Sequence, residues 1–158
     1  MSYVNADGLE ILTSGEAGTA AKKGTVLSGH KKALVLNLTG TELPSGAATP
    51  QDHDAFIPAN SYITSATVII STAFTSGGSA TLTVGAYQQD GSTIDADGVD
   101  AAVALSALNA TTKAVACDGA LVGAALSVGD NDCYIEAYYG TAAFTAGEAK
   151  LVIEYIEP

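Results

Sequence analysis

Asp95-Ala96-Asp97-Gly98-Val99-Asp100 sets three carboxylates close together in the chain. Hard cations take several oxygen ligands, so Asp95, Asp97 and Asp100 could hold one Ca²⁺. The EF-hand pattern is incomplete, because no glutamate closes the loop at the required spacing. The simpler reading is an Asp-rich turn in which Asp100 caps a following helix. Asp52-His53-Asp54 puts an imidazole between two carboxylates, which would raise the His53 pKa and give a pH response. The other histidine, His30, lies between Gly29 and Lys31, which offer no ligand. The Asp-His-Asp run therefore reads as a solvated loop. Nucleophilic serine chemistry needs a positioned base, and no Gly-x-Ser-x-Gly elbow is present. Gly77-Gly78-Ser79 is not followed by Gly-Lys-Ser/Thr, so it is no phosphate loop. No pair of carboxylates stands out as glycosidase-like. The expectation is a protein that is not an enzyme and needs no cofactor, with calcium at the Asp run as the one exception to weigh.

Adhesion has better support. Tyrosine joins a large apolar ring to a polar tip and is enriched at interfaces. Tyr134 and Tyr138 fall on one face of an alternating run, with Tyr139 and Tyr155 nearby in sequence. Val152 and Ile156 occupy the phase of the last alternating run that a solvent-facing strand would fill with charge. Tyr134, Tyr138, Val152 and Ile156 are the candidates for an interface.

Composition sets the limits. The chain has 158 residues, one domain's worth with a core of its own. Alanine, glycine and threonine are abundant, tryptophan is absent and there are three phenylalanines, so the core must be thin. The formal net charge is −11, with six Lys and Arg in all. Nucleic acid and anionic membrane surfaces are not expected partners, since both need a basic patch. Met1 to Gly8 shows no basic and apolar leader pattern, and no apolar run is long enough to span a bilayer. Two cysteines, Cys117 and Cys133, sit among small or apolar neighbours and read as buried, reduced thiols.

The elements that would position these groups are mostly strands. Residues 1–29 lack clear periodicity and read as an extended arm, which Leu9, Ile11 and Leu12 would dock on a partner. Residues 30–158 form the domain. Lys32 to Leu38 reads as a strand with Leu34, Leu36 and Leu38 on one face, and Gly40 to Asp54 as a loop. Tyr62 to Phe74 and Ala80 to Tyr87, joined by Thr75-Ser76-Gly77-Gly78-Ser79, read as a β-hairpin. Asp90-Gly91 and Asp97-Gly98 read as turns. Asp100 to Ala110 is the one expected helix, rich in alanine and leucine. Ala120 to Val128, Cys133 to Tyr139 and Ala149 to Glu157 read as closing strands. The fold class is all-β: an antiparallel β-sandwich, jelly-roll-like, with one short helix and the N-terminal arm.

Three stretches carry a resemblance: Ile57-Pro58-Ala59-Asn60-Ser61-Tyr62-Ile63-Thr64-Ser65-Ala66, Thr72-Ala73-Phe74-Thr75-Ser76-Gly77-Gly78-Ser79-Ala80-Thr81-Leu82, and Tyr139-Gly140-Thr141-Ala142-Ala143-Phe144-Thr145-Ala146-Gly147-Glu148-Ala149. With them the chain resembles small virion structural proteins of tailed bacteriophages over residues 55 to 158. The resemblance implies a capsid decoration (cement) protein on the outside of the head. It further implies the major capsid protein as partner, self-association as a homotrimer and assembly in the host cytoplasm. A tail or head-fibre component that binds a receptor or glycan is the other reading, but fibre shafts usually show repeats and this chain shows none.

Overall fold

A computed structural model describes residues 2–4, 10–13, 25–26, 31–46 and 56–158. The chain divides between Lys32 and Ala33 into two units. The first holds three short strands, β1 (Ser2–Val4), β2 (Glu10–Thr13) and β3 (Thr25–Val26), paired antiparallel in the order β1-β2-β3. Strands of two to four residues are too short to print an alternating pattern, which is why the sequence shows no period there.

The second unit is built from eight strands, the first of which begins two residues before the division: β4 (Lys31–Thr39), β5 (Phe56–Ile57), β6 (Tyr62–Ser76), β7 (Thr81–Tyr87), β8 (Thr93–Ala104), β9 (Ala114–Ala116), β10 (Cys133–Gly140) and β11 (Phe144–Ile156). They form two four-stranded sheets, β4-β11-β6-β9 and β5-β10-β7-β8. The first and last of these eight strands are neighbours, and successive strands change sheet except at β7–β8. That is the strand order of a jelly roll, the expected architecture. The inner faces meet in one core made largely of Val, Ile, Leu and Ala, with Phe74 and Phe144 edge to face at 5.1 Å.

Alternation located most strands. In β4, Leu34 and Leu38 are buried and Val35 is exposed. In β11, Ala149, Leu151, Ile153 and Tyr155 face in, while Lys150 and Ile156 are exposed. Both thiols are free and buried, and burial pushes each up to about 12.

Several expectations need correction. The segments 62–74 and 80–87 are strands but not a hairpin: β6 pairs with β11 and β9, β7 with β10 and β8. A glycine-containing connection permits a turn within a sheet or a crossing between sheets, and local pattern does not choose. Here the link crosses the sandwich. Asp97-Gly98 is not a turn; it lies inside β8. Val84 pairs with Asp100 and Ala86 with Asp95, so Ala96 to Val99 bulge out opposite Gly85 alone. Glycine is needed there, because a Cβ on Gly85 would strike the Ala96 carbonyl. The helix is one turn, Leu105–Leu108, and its N-cap is Ala104, with no side-chain cap. Asp100 sits instead within β8, since pairing with β7 overrides the helix preference of an alanine-rich run. Residues 120–128 form no strand; Val122 makes one isolated bridge to Ile63, and Gly123 adopts a φ of 65°. The edge position falls to β9, beside β6. The 40–54 loop opens with a 3-10 turn at Gly40–Glu42, and 47–55 lie outside the described residues.

Candidate interaction surface

The outer face of the sheet β4-β11-β6-β9 is set by register. Ile156 stands opposite Tyr62, Glu154 opposite Ser65, Val152 opposite Thr67, and Lys150 opposite Ile69. On the other side of β6, Thr67 meets Ala116 and Ile69 meets Ala114. Branched residues fit this pleated surface well, and at Ile69 the same choice that stiffens β6 also puts an apolar side chain on its outer side. Ile69 is 45% exposed, Val35 50%, Tyr62 37% and Ile156 37%. These four are among the six large hydrophobics that are exposed among the described residues, and Ile69, Tyr62 and Ile156 share their face with Ser65, Thr67, Lys150 and Glu154. Its carboxylates are held sideways: Ser65 Oγ donates to Glu154 Oε2 at 2.6 Å, and Thr72 Oγ1 to Glu148 Oε2 at 3.2 Å. Several exposed apolar side chains on one sheet face make it the candidate contact surface.

Val152 and Ile156 lie on this face as expected from their phase in β11. Sequence reasoning missed Ile69, Tyr62 and Val35. The signal was available in two of them. Val68-Ile69-Ile70 and Leu34-Val35-Leu36 are unbroken apolar runs, which load both faces of a strand.

The tyrosine candidates belong to the opposite sheet and are largely covered. Tyr134 is 5% exposed and its ring lies 5.7 Å from that of Phe56. Tyr138 donates its hydroxyl to the Ala96 carbonyl at 3.0 Å, and Tyr87 reaches the same oxygen at 3.4 Å. The β8 bulge thus ties itself down by two hydroxyls. Burial, with Tyr138 next in importance, raises the Tyr87 pKa. Tyr134 and Tyr138 are therefore not gathered with Val152 and Ile156.

Of the three aspartates, Asp95 and Asp97 stay together and Asp100 has other neighbours. The Asp97 amide donates to Asp95 Oδ1 at 3.4 Å, and burial raises the Asp95 carboxyl above its usual range. Asp100 is buried beside the Cys117 thiol. Among the described residues, no group of three His, Cys, Asp or Glu is arranged to hold a metal ion. Ile11 and Leu12 lie on β2, paired with Tyr3 and Ser2. Leu9, His30, Asp52, His53 and Asp54 lie outside the described residues. No described helix is long and apolar enough to cross a membrane.

No family model matches the chain, and no curated protein matches it in sequence. Two solved structures do match in fold. One is a chain of the cyanophage Pam1 capsid asymmetric unit, with a TM-score of 0.55 and 16% identity, covering 90% of this chain and 99% of that one. The other comes from the capsid of Ralstonia phage GP4, with a TM-score of 0.53 and 13% identity, covering 82% and 86%. At these identities the likeness is one of fold: the jelly-roll sandwich read from the strand order is shared with both.

Proposed function

We propose that this protein is a bacteriophage virion structural protein of the decoration (cement) type. It binds the outside of the head, contacts the major capsid protein and stabilises the shell by adhesion, with no bond-making step. The observation that carries this reading is the set of exposed apolar residues on the outer face of β4-β11-β6-β9: Ile69, Val35, Tyr62 and Ile156, with Val152 half-buried. An acidic protein of net charge −11 leaves such a face uncovered only at a cost in solubility, unless another surface covers it. The two similar chains both come from phage capsids, which supports the same role. In this reading the face packs subunit against subunit in a homotrimer, and the first unit reaches out to the shell. Several weak attachments per trimer then add up through multivalency.

The test is to add the purified protein to heads that lack it, then count bound copies and image the particles. Hundreds of copies on the exterior are expected. A handful of copies at the tail would replace this reading with that of a tail or head-fibre component.

A further inference from the structure

A second feature lies at the end of the other sheet. The β7–β8 turn and the segment leading into β10 border an open concavity of about 430 Å³, lined by Gln88, Gln89, Asp90, Asn131, Asp132 and Tyr134. Both rims are held in place. Gln88 N–H donates to the Ser92 carbonyl at 2.7 Å and Gly91 N–H to the Gln88 carbonyl at 2.9 Å. Each carboxylate is anchored through one oxygen: Asp90 Oδ1 accepts from Ser92 N–H at 2.8 Å, and Asp132 Oδ1 from Ala59 N–H at 3.1 Å. These bonds fix the backbone of both rims, and the concavity's size is within the range of small-molecule pockets.

The lining selects a ligand class. Two carboxylates without a lysine or histidine repel phosphates and carboxylates. Three side-chain amides add paired donors and acceptors, which suit adjacent hydroxyl groups. Apolar ligands find one aromatic ring and little else. A bare cation would need converging oxygens, and no acidic group of three is so arranged among the described residues. We infer that this concavity binds a neutral saccharide, with the Gln88, Gln89 and Asn131 amides and the Asp90 and Asp132 carboxylates taking its hydroxyl groups and Tyr134 forming part of the wall. This goes beyond adhesion to a shell and does not depend on it.

Saturation-transfer NMR on the full chain tests the inference, using the methyl glycosides of glucose, galactose, mannose and N-acetylglucosamine, each in EDTA. Saturable transfer to the ring protons of at least one glycoside is expected. The Gln89→Ala/Asn131→Ala variant changes two exposed residues, so it should melt as the parent does and bind at least tenfold more weakly. No transfer from any of the four would overturn the inference, and so would equal transfer to the variant. Calcium chloride displacing the sugar once EDTA is omitted would assign the concavity to a cation and overturn it as well.

Discussion

Asp100 is 4% exposed, lies beside Cys117, and has a carboxyl pKa raised chiefly by burial. A carboxyl whose folded pKa lies above its unfolded one favours the fold only while it keeps its proton. Its contribution is complete below the ordinary value of 3.8 and is lost as pH rises through the folded value. At neutral pH the buried charge therefore weakens the fold. Asp100→Asn keeps an oxygen to accept from the Cys117 thiol and removes the charge. It should raise the melting temperature at pH 7, and the gain should shrink to nothing as pH falls below the ordinary carboxylate range. Paired thermal melts across that range check this; a variant less stable than the parent at pH 7 would refute it. This residue also shows where sequence reading stops. An aspartate ahead of an alanine-rich run has the chemistry of a helix cap. Its actual neighbour Cys117 becomes visible only once the sheets pack. The cysteines were legible because their small, apolar surroundings in sequence match their surroundings in space.

Strands β4, β6 and β11 could be read from alternation because one side of each is buried and the other is more open, whereas β7 and β10 alternate in sequence although Val84 to Tyr87 and Cys133 to Glu136 are buried on both faces. β8 could not, since its bulge shifts the phase between Asp95 and Asp100. β9 could not, since Ala114-Val115-Ala116 is too short to show a period. Pairing was illegible for a different reason: whether β6 turns back on β7 or leaves it for β11 is decided by the whole sandwich. Gly147 in β11 illustrates such dependence. Its φ of 134° and its closeness to the Phe74 ring leave no room for a Cβ, a constraint that comes from β6. The outer face was half legible. Val152 and Ile156 stood out as apolar residues in a polar phase, and the same rule applied to Val68-Ile69-Ile70 adds Ile69. A substitution at Ile69 tests that face as an element. Ile69 sits beside Lys150 across the β6–β11 ladder, so Ile69→Glu gains a local opposite charge and loses an apolar contact. The monomer should stay folded, because the side chain is 45% exposed. The self-association proposed above, read by sedimentation, should weaken at least tenfold, about 1.4 kcal/mol or more. Unchanged association would remove this face from the subunit contact.

The molecule as a whole combines two units with different demands. The sandwich closes its own core, and each of its sheets is complete within residues 31–158. The first unit pairs its three short strands among themselves. Taking away residues 1–25 removes β1, β2 and the first residue of β3, and no strand of either four-stranded sheet. The truncated chain should keep a β-type circular-dichroism spectrum and a single cooperative melt. In the proposed role, attachment to the head should suffer far more than the fold. If the first unit supplies one of several attachments per trimer, the loss removes an effective-concentration term that strengthens binding by roughly 10² or more. The truncated chain should then fail to decorate heads at concentrations where the full chain saturates them. The two failures are separable. A truncated chain that does not melt cooperatively would mean that the units are not independent. One that folds and still decorates fully would mean that the shell is gripped by the sandwich alone, with the first unit playing no part in attachment.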